Sequence, residues 1–216
     1  MYIRGILFDN DGTLVDTYDL MLSSFLYATK KVLGHTLPED VLMHGVGTTL
    51  EAQMWAFTDD PGVQKQLVDA YREHNLAVHD KVVKAFDGIV EGMAKLQEAG
   101  LALGVVTAKR HALAWRGLEI VGVAPYLQCL VGADDCELNK PDPAPIRVGL
   151  EMLGLESEEC WYVGDSPYDI QAGNAAGCAT VAVLWGVFDE EALRAEKPTY
   201  VVSNFSELVA LVLQNQ

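Results

Sequence analysis

Six short apolar runs recur along the chain, at Tyr2–Phe8, Leu101–Thr107, Leu127–Val131, Cys160–Val163, Ala179–Leu184 and Tyr200–Val202, and no other feature constrains the fold as much. The runs are mostly continuous rather than alternating, the pattern of strands buried on both faces. Helical patterns separate the later ones, at Gly88–Ala99, Arg110–Val121, Pro143–Leu153 and Pro167–Ala176. Strands alternating with helices predict an α/β fold, a parallel sheet with helices on both faces. Local signals agree. Gly100 follows the helical EGMAKLQEA as a C-terminal cap, and Asp142-Pro143 and Ser166-Pro167 each read as an N-cap followed by proline at the first helical position.

The stretch from Asp16 to Lys84 breaks the alternation. It offers helical patterns at Leu20–Leu33, Leu50–Phe57 and Gln64–Val78 and no convincing strand. This predicts a helical insertion, residues 16–84, within a core made of residues 1–15 and 85–216.

Composition narrows the function. Half the residues are hydrophobic and 21% are charged, a globular balance that argues against disorder. With 15 Lys and Arg against 31 Asp and Glu, the formal net charge is −16. Such a surface repels nucleic acid and anionic membrane, so neither is expected as a partner. It also repels an anionic substrate, so an anion site needs a local positive source. The four cysteines form no C-x-x-C pair and the five histidines no H-x-x-x-H pattern, which argues against zinc and for reduced thiols. No basic segment leads into a long apolar stretch after Met1, and no apolar run approaches the ~20 residues of a membrane span. A cytoplasmic protein, monomer or homodimer, is expected.

Four sites each fall at the carboxyl end of a strand-like run, where open α/β sheets bind ligands. In Phe8-Asp9-Asn10-Asp11-Gly12-Thr13, Asp9 and Asp11 leave the strand on one side. One carboxylate can attack phosphorus and the other can carry a proton, while Thr13 can offer a hydroxyl to phosphate. Asn10 is expected to point away from the pair. A calcium loop is excluded, because aligning Gly12 with its glycine puts Leu7 and Tyr18 where carboxylates are needed. Thr107 can hold a phosphate oxygen. Lys140, bracketed by helix-starting residues in Asn139-Lys140-Pro141-Asp142-Pro143, is a point charge able to reach both phosphate and the nucleophile. In Gly164-Asp165-Ser166-Pro167-Tyr168-Asp169, two carboxylates join Asp9 in an oxygen-rich site suited to Mg²⁺.

D-x-D-G-T, then T, then K-P, then G-D-x-x-x-D, in this order, resembles the haloacid-dehalogenase superfamily of phosphohydrolases. The resemblance covers essentially the whole chain. It implies a Rossmann-like core with the insertion as a helical C1 cap. By the same resemblance Asp9 is the nucleophile and Asp11 the general acid/base. Thr107, Ala108 and Lys140 would bind the phosphoryl group. Asp9, the Asp11 carbonyl and Asp165 would bind Mg²⁺, with Asp169 supporting it directly or through water.

Within the superfamily, Thr107-Ala108-Lys109, the run Lys140 to Pro145, and Val163-Gly164-Asp165-Ser166 through Ala175-Ala176-Gly177-Cys178 to Trp185-Gly186 look similar to the phosphoglycolate phosphatase and PpaX-type pyrophosphatase group. A small phosphorylated metabolite is then the expected substrate, phosphoglycolate-like or pyrophosphate-like. A sugar-phosphate mutase shares all four elements and is the alternative. A non-catalytic phosphate-binding module is the third reading, and it lacks the usual mark of a lost catalytic residue. In the insertion, Gly47 and Thr48 lie in His44-Gly45-Val46-Gly47-Thr48-Thr49, ahead of a helical pattern. Backbone N–H groups there can meet the leaving group's anion, or the segment is an ordinary loop with a Thr N-cap.

Overall fold

The computed structural model describes residues 3–215. Strands β1 (Gly5–Phe8) and β2 (Val15–Asp16) precede four helices, α1 (Tyr18–Leu33), α2 (Glu39–Met43), α3 (Leu50–Met54) and α4 (Pro61–Val82). The chain continues through β3 (Lys84–Ala85), α5 (Ile89–Glu98), β4 (Ala102–Val106), α6 (His111–Ile120), β5 (Cys129–Val131) and α7 (Ala144–Leu153). It ends with β6 (Cys160–Gly164), α8 (Pro167–Ala176), β7 (Ala179–Val183), α9 (Glu190–Ala195), β8 (Tyr200–Val202) and α10 (Phe205–Leu213). Each of the six apolar runs contains a strand. Tyr2, the expected start of the first, lies outside the described residues.

Six strands form one sheet in the order β5-β4-β1-β6-β7-β8, and every pairing in it is parallel. The chain lays down β4 and β5 on one side of β1 and then returns to build β6, β7 and β8 on the other. This reversal opens a crevice beyond the carboxyl ends of β4, β1 and β6. Phe8 pairs with both Val105 and Val163, so the residues that follow these three strands leave the sheet side by side.

Alternation along each strand serves both faces. Ile6, Phe8, Leu103, Val105, Trp161 and Val163 pack with α5, α6 and α10, whereas Leu7, Val106, Cys160 and Tyr162 pack with α7 and α8. Burial on both faces explains why the strands read as continuous apolar runs.

Local caps position α8 and α7. Ser166 caps α8 in a reciprocal capping box with Asp169, with Pro167 in the first turn, as expected. The start of α7 differs from expectation by one residue. Pro143 takes the cap position, and the Asp142 carboxylate accepts the Ala144 N–H at 2.8 Å instead of capping from within. Gly100 closes α5 at φ +85°, just beyond the cap residue Ala99.

Helices α1 to α4 bury an apolar cluster of their own, centred on Phe25, Leu42, Met54, Leu67 and Tyr71. Entry and exit run side by side, because β2 and β3 pair antiparallel with Val15 opposite Ala85 and Asp16 opposite Lys84. α4 is longer than its periodicity suggested, since Asp60 caps it and Pro61 starts it. α3 stops at Met54, and the amides of Trp55, Ala56 and Phe57 make tighter bonds to Ala52, Gln53 and Met54. No helix among the described residues is long and apolar enough to cross a membrane.

Candidate active site

Three neighbouring strands deliver the chemistry. Asp9 follows β1, Thr107 follows β4, and Asp165 follows β6. Lys140 arrives from the loop before α7 and Asp169 from the first turn of α8. Lys140 Nζ donates to Asp9 Oδ1 at 2.7 Å and to Asp169 Oδ1 at 2.5 Å, with the lysine side chain 1% exposed. Its ammonium lies over the Tyr162 ring, with Nζ 5.8 Å from the centroid. An ammonium has three N–H donors, so one remains for a phosphate oxygen. Asp9 Oδ2 carries no hydrogen bond among the described residues.

Asp169 is saturated. Its Oδ1 accepts from Lys140 and shares the Tyr162 hydroxyl proton with the closer Val106 carbonyl, and its Oδ2 accepts from the Ser166 N–H and hydroxyl. It therefore anchors Lys140 and the start of α8. Asp165 is bound more sparingly, with the Thr13 hydroxyl on Oδ1 at 3.0 Å and the Val187 N–H on Oδ2 at 2.9 Å. This corrects one expectation. Thr13 is fully buried and spends its hydroxyl on Asp165 rather than on phosphate. Asn10 corrects another, because its Nδ2 donates to Asp11 Oδ2 at 3.0 Å instead of pointing away.

Charge follows burial. Burial pushes Asp165 up to about 7, and the nearby Asp169 charge adds to it. Burial also raises Asp9 well above the usual carboxylate range; Lys140 opposes this, while Asp169 and Asp165 add to it. Burial pulls the Lys140 ammonium down, but Asp169 and Asp9 outweigh it and hold the group firmly protonated. At Asp11 burial pushes upward and is overcome by Lys109, through charge and a 2.7 Å hydrogen bond, with help from Asn10. The result is a carboxyl below its ordinary range.

Asp9, Asp165 and Asp169 offer carboxylate oxygens within 4.8 Å of one another, all buried. One ammonium faces three buried carboxylates, an imbalance costly in a low dielectric. An all-oxygen donor set with excess negative charge fits a hard divalent cation. Of the three, Asp9 and Asp165 carry the fewest hydrogen bonds.

A cavity of about 400 Å³ lies in front of these groups, between the strand ends and the helical insertion. Asp9, Asp11, Thr107 and Ala108 line its core side, and Gly47 and Thr48 its insertion side. Thr107 Oγ1 accepts the Lys109 N–H at 3.2 Å, so its own proton stays available. Two of the amides in residues 44–49 are turned into the loop itself. The N–H groups of Val46 and Thr48 bond to Met43 and Gly45, and the Thr48 hydroxyl donates to Gly45 O at 2.8 Å. Gly47, at φ +100°, instead brings the loop against the core, since a Cβ there would lie 2.7 Å from Ser166 Oγ. Lys109 and Tyr162 are site residues whose roles sequence reasoning missed. The adjacency of Lys109 to Thr107 was the available signal; Tyr162 sits inside an apolar run and offered none.

A buried carboxylate held by a lysine, beside a carboxylate cluster suited to a divalent cation at the carboxyl edge of a parallel sheet, marks an enzyme of phosphoryl transfer. The haloacid dehalogenase-like hydrolase family model matches residues 6–183, and the chain belongs to that family. Pyrophosphatase PpaX of Anoxybacillus flavithermus is 35% identical over 217 residues, covering 98% of each chain. Pyrophosphatase PpaX of Halalkalibacterium halodurans is 34% identical over 212 residues, again covering 98% of each. Among solved structures, a predicted phosphoglycolate phosphatase from Haemophilus somnus superimposes with a TM-score of 0.89 at 23% identity, covering 97% of each chain. A haloacid dehalogenase-like hydrolase from Streptococcus pneumoniae gives 0.86 at 23% identity, covering 97% of this chain and 98% of its own. At these identities the two structures speak for the fold.

Proposed function

We propose that this protein is a Mg²⁺-dependent phosphatase that hydrolyses a small phosphate monoester or anhydride, phosphoglycolate-like or pyrophosphate-like, through a phosphoryl-aspartate on Asp9. One observation carries the reading: Lys140 holds Asp9 Oδ1 at 2.7 Å while Oδ2 stays free at the cavity edge. Asp9 is thereby aimed and its repulsion for a phosphate dianion is reduced. Phosphoryl transfer is catalysed mainly by such positioning and charge stabilisation. Lys140 and Thr107 bind the equatorial oxygens, and Asp11 takes the proton of the water that hydrolyses the acyl phosphate. Mg²⁺, when bound beside Asp9 and Asp165, supplies further positive charge to the phosphoryl oxygens.

Residues 16–84 act in this reading as a cap over the core. The pyrophosphatase relatives, matched over nearly their full length, support hydrolysis over return of the phosphoryl group to a sugar. The four cysteines are free, in keeping with a cytoplasmic setting. The test is covalent trapping. With radiolabelled pyrophosphate and Mg²⁺, the quenched protein should carry a hydroxylamine-sensitive label. Asp9→Asn should carry none and lose roughly 10³-fold or more in kcat, with an unchanged circular-dichroism spectrum. Wild-type turnover by that variant would end the covalent reading.

A further inference from the structure

Phosphoryl transfer must manage charge at both ends of the breaking bond. Lys140 serves the nucleophile end and is buried behind it, between Asp9 and Asp169. The leaving-group end faces the cavity, where the basic side chains among the described residues are Arg72, Lys109 and Arg110. Arg72 is tied to Glu51 and Arg110 to Asp134, and their side chains are 34% and 61% exposed. Solvent screens charges in such positions. Lys109 differs. Its side chain is 14% exposed, and Nζ lies 2.7 Å from Asp11 Oδ1. Asp11 is the side chain that serves the reacting oxygens in the reading above, so an ammonium one hydrogen bond away from it stands beside the leaving group.

We infer that Lys109 binds the negative charge carried by the leaving group and so selects substrates whose leaving group is itself an anion: the second phosphate of an anhydride, or the carboxylate of a glycolate-like ester. Two of its three N–H donors remain after the bond to Asp11. A flexible point charge suits an anion of variable orientation. The backbone is fixed as this task requires. Lys109 N donates to Thr107 Oγ1 at 3.2 Å and Lys109 O accepts from Ala133 N at 2.9 Å. One short turn thus presents a phosphoryl ligand and a leaving-group ligand together. A chain with net charge −16 must build such attraction locally.

With pyrophosphate, the Asp9 oxygen forms its bond to phosphorus as the bridging P–O bond breaks. The electron pair moves to the bridging oxygen, which departs with orthophosphate, and the added charge falls beside Lys109. Water then attacks phosphorus as the bond to Asp9 breaks; its proton passes to Asp11 and from there to the released orthophosphate, so both carboxylates are restored.

The inference rests on the phosphohydrolase reading, and the experiment separates the two. With the full chain and Mg²⁺, kcat and KM are measured for pyrophosphate, phosphoglycolate and phenyl phosphate, whose leaving group bears no charge before cleavage. Lys109→Met should lower kcat/KM on the two anionic substrates by about 100-fold and on phenyl phosphate by about fivefold, the scale of one lost charge-assisted contact. Much of the selective loss should appear in KM, because the anion is charged before the transition state, and Lys109→Arg should recover most of it. Equal losses on all three substrates would make Lys109 a support for Asp11 alone and overturn the inference. If Lys109→Met does not fold, Lys109→Gln is put to the same comparison with the same two outcomes. A wild-type protein that releases phosphate from none of the three overturns the phosphohydrolase reading itself.

Discussion

Asp165 follows β6 with both oxygens on neutral donors, the Thr13 hydroxyl and the Val187 N–H, so neither cancels its charge. Burial, and after it the charge of Asp169, lifts its carboxyl to about 7 from an ordinary 3.8. The sign of the consequence is fixed. Between those values the folded protein holds a proton that the unfolded chain has lost, so stability falls as pH rises, and the loss is complete above the folded value. The metal-free protein in EDTA should therefore melt at a lower temperature at about pH 8 than at about pH 5. Saturating Mg²⁺ should flatten the trend by satisfying the carboxylates, and chelation should abolish phosphate release. A slope that survives Asp165→Asn would assign the effect to Asp9, the other carboxyl that burial raises. Which residues reach this site was legible in the chain, because Asp9, Thr107 and Asp165 each terminate an apolar run and Lys140 and Asp169 flank helix starts. Which atoms they give one another was not. Thr13 looked like a phosphate ligand and Asn10 like a bystander, and only packing shows one on Asp165 and the other on Asp11.

At the scale of elements, the site depends on how closely the segment after β7 approaches the end of β6. A Cβ on Gly186 would fall 2.2 Å from the Asp165 Cβ and Oδ2, and a Cβ on Gly164 would fall 2.4 Å from the Asp169 Cβ. Neither neighbour is the far end of a flexible chain. Gly186→Ala should displace Asp165, cost about 1–3 kcal/mol of stability and weaken Mg²⁺ binding, read as a higher metal requirement for activity. A melting temperature and a metal titration matching wild type would show that the loop yields freely. The strands themselves were readable because burial on both faces leaves a continuous apolar signature. The pair β2–β3 left none, since two-residue strands are below any period, and α9, of six residues, is short for the same reason.

Across the whole molecule, the insertion meets the core where Gly47 lies on Ser166 and Tyr168, the start of the helix that carries Asp169. Gly47 combines a left-handed backbone with that close approach, so Gly47→Val should hinder seating of the loop twice over. The expected result is a similar fall, roughly tenfold or more, in kcat/KM for pyrophosphate and phenyl phosphate alike, since both need water excluded from the same crevice. A loss confined to pyrophosphate would instead make the loop a reader of the leaving group. Such a contact between segments more than a hundred residues apart has no trace in either local pattern. The paired entry and exit of the insertion carry a different consequence. Val15 faces Ala85 and Asp16 faces Lys84 across a single strand spacing, about 5 Å. The core thus closes on itself whether the excursion between those residues is long or short. The chain between them can therefore change in length without altering the strand connectivity that brings Asp9, Lys140 and Asp165 together, provided that Leu20, Val78 and Val82, which pack with the main core, keep apolar counterparts. Length variation in the insertion is absorbed at one antiparallel pair, and the sheet that carries Asp9 and Asp165 is left in register.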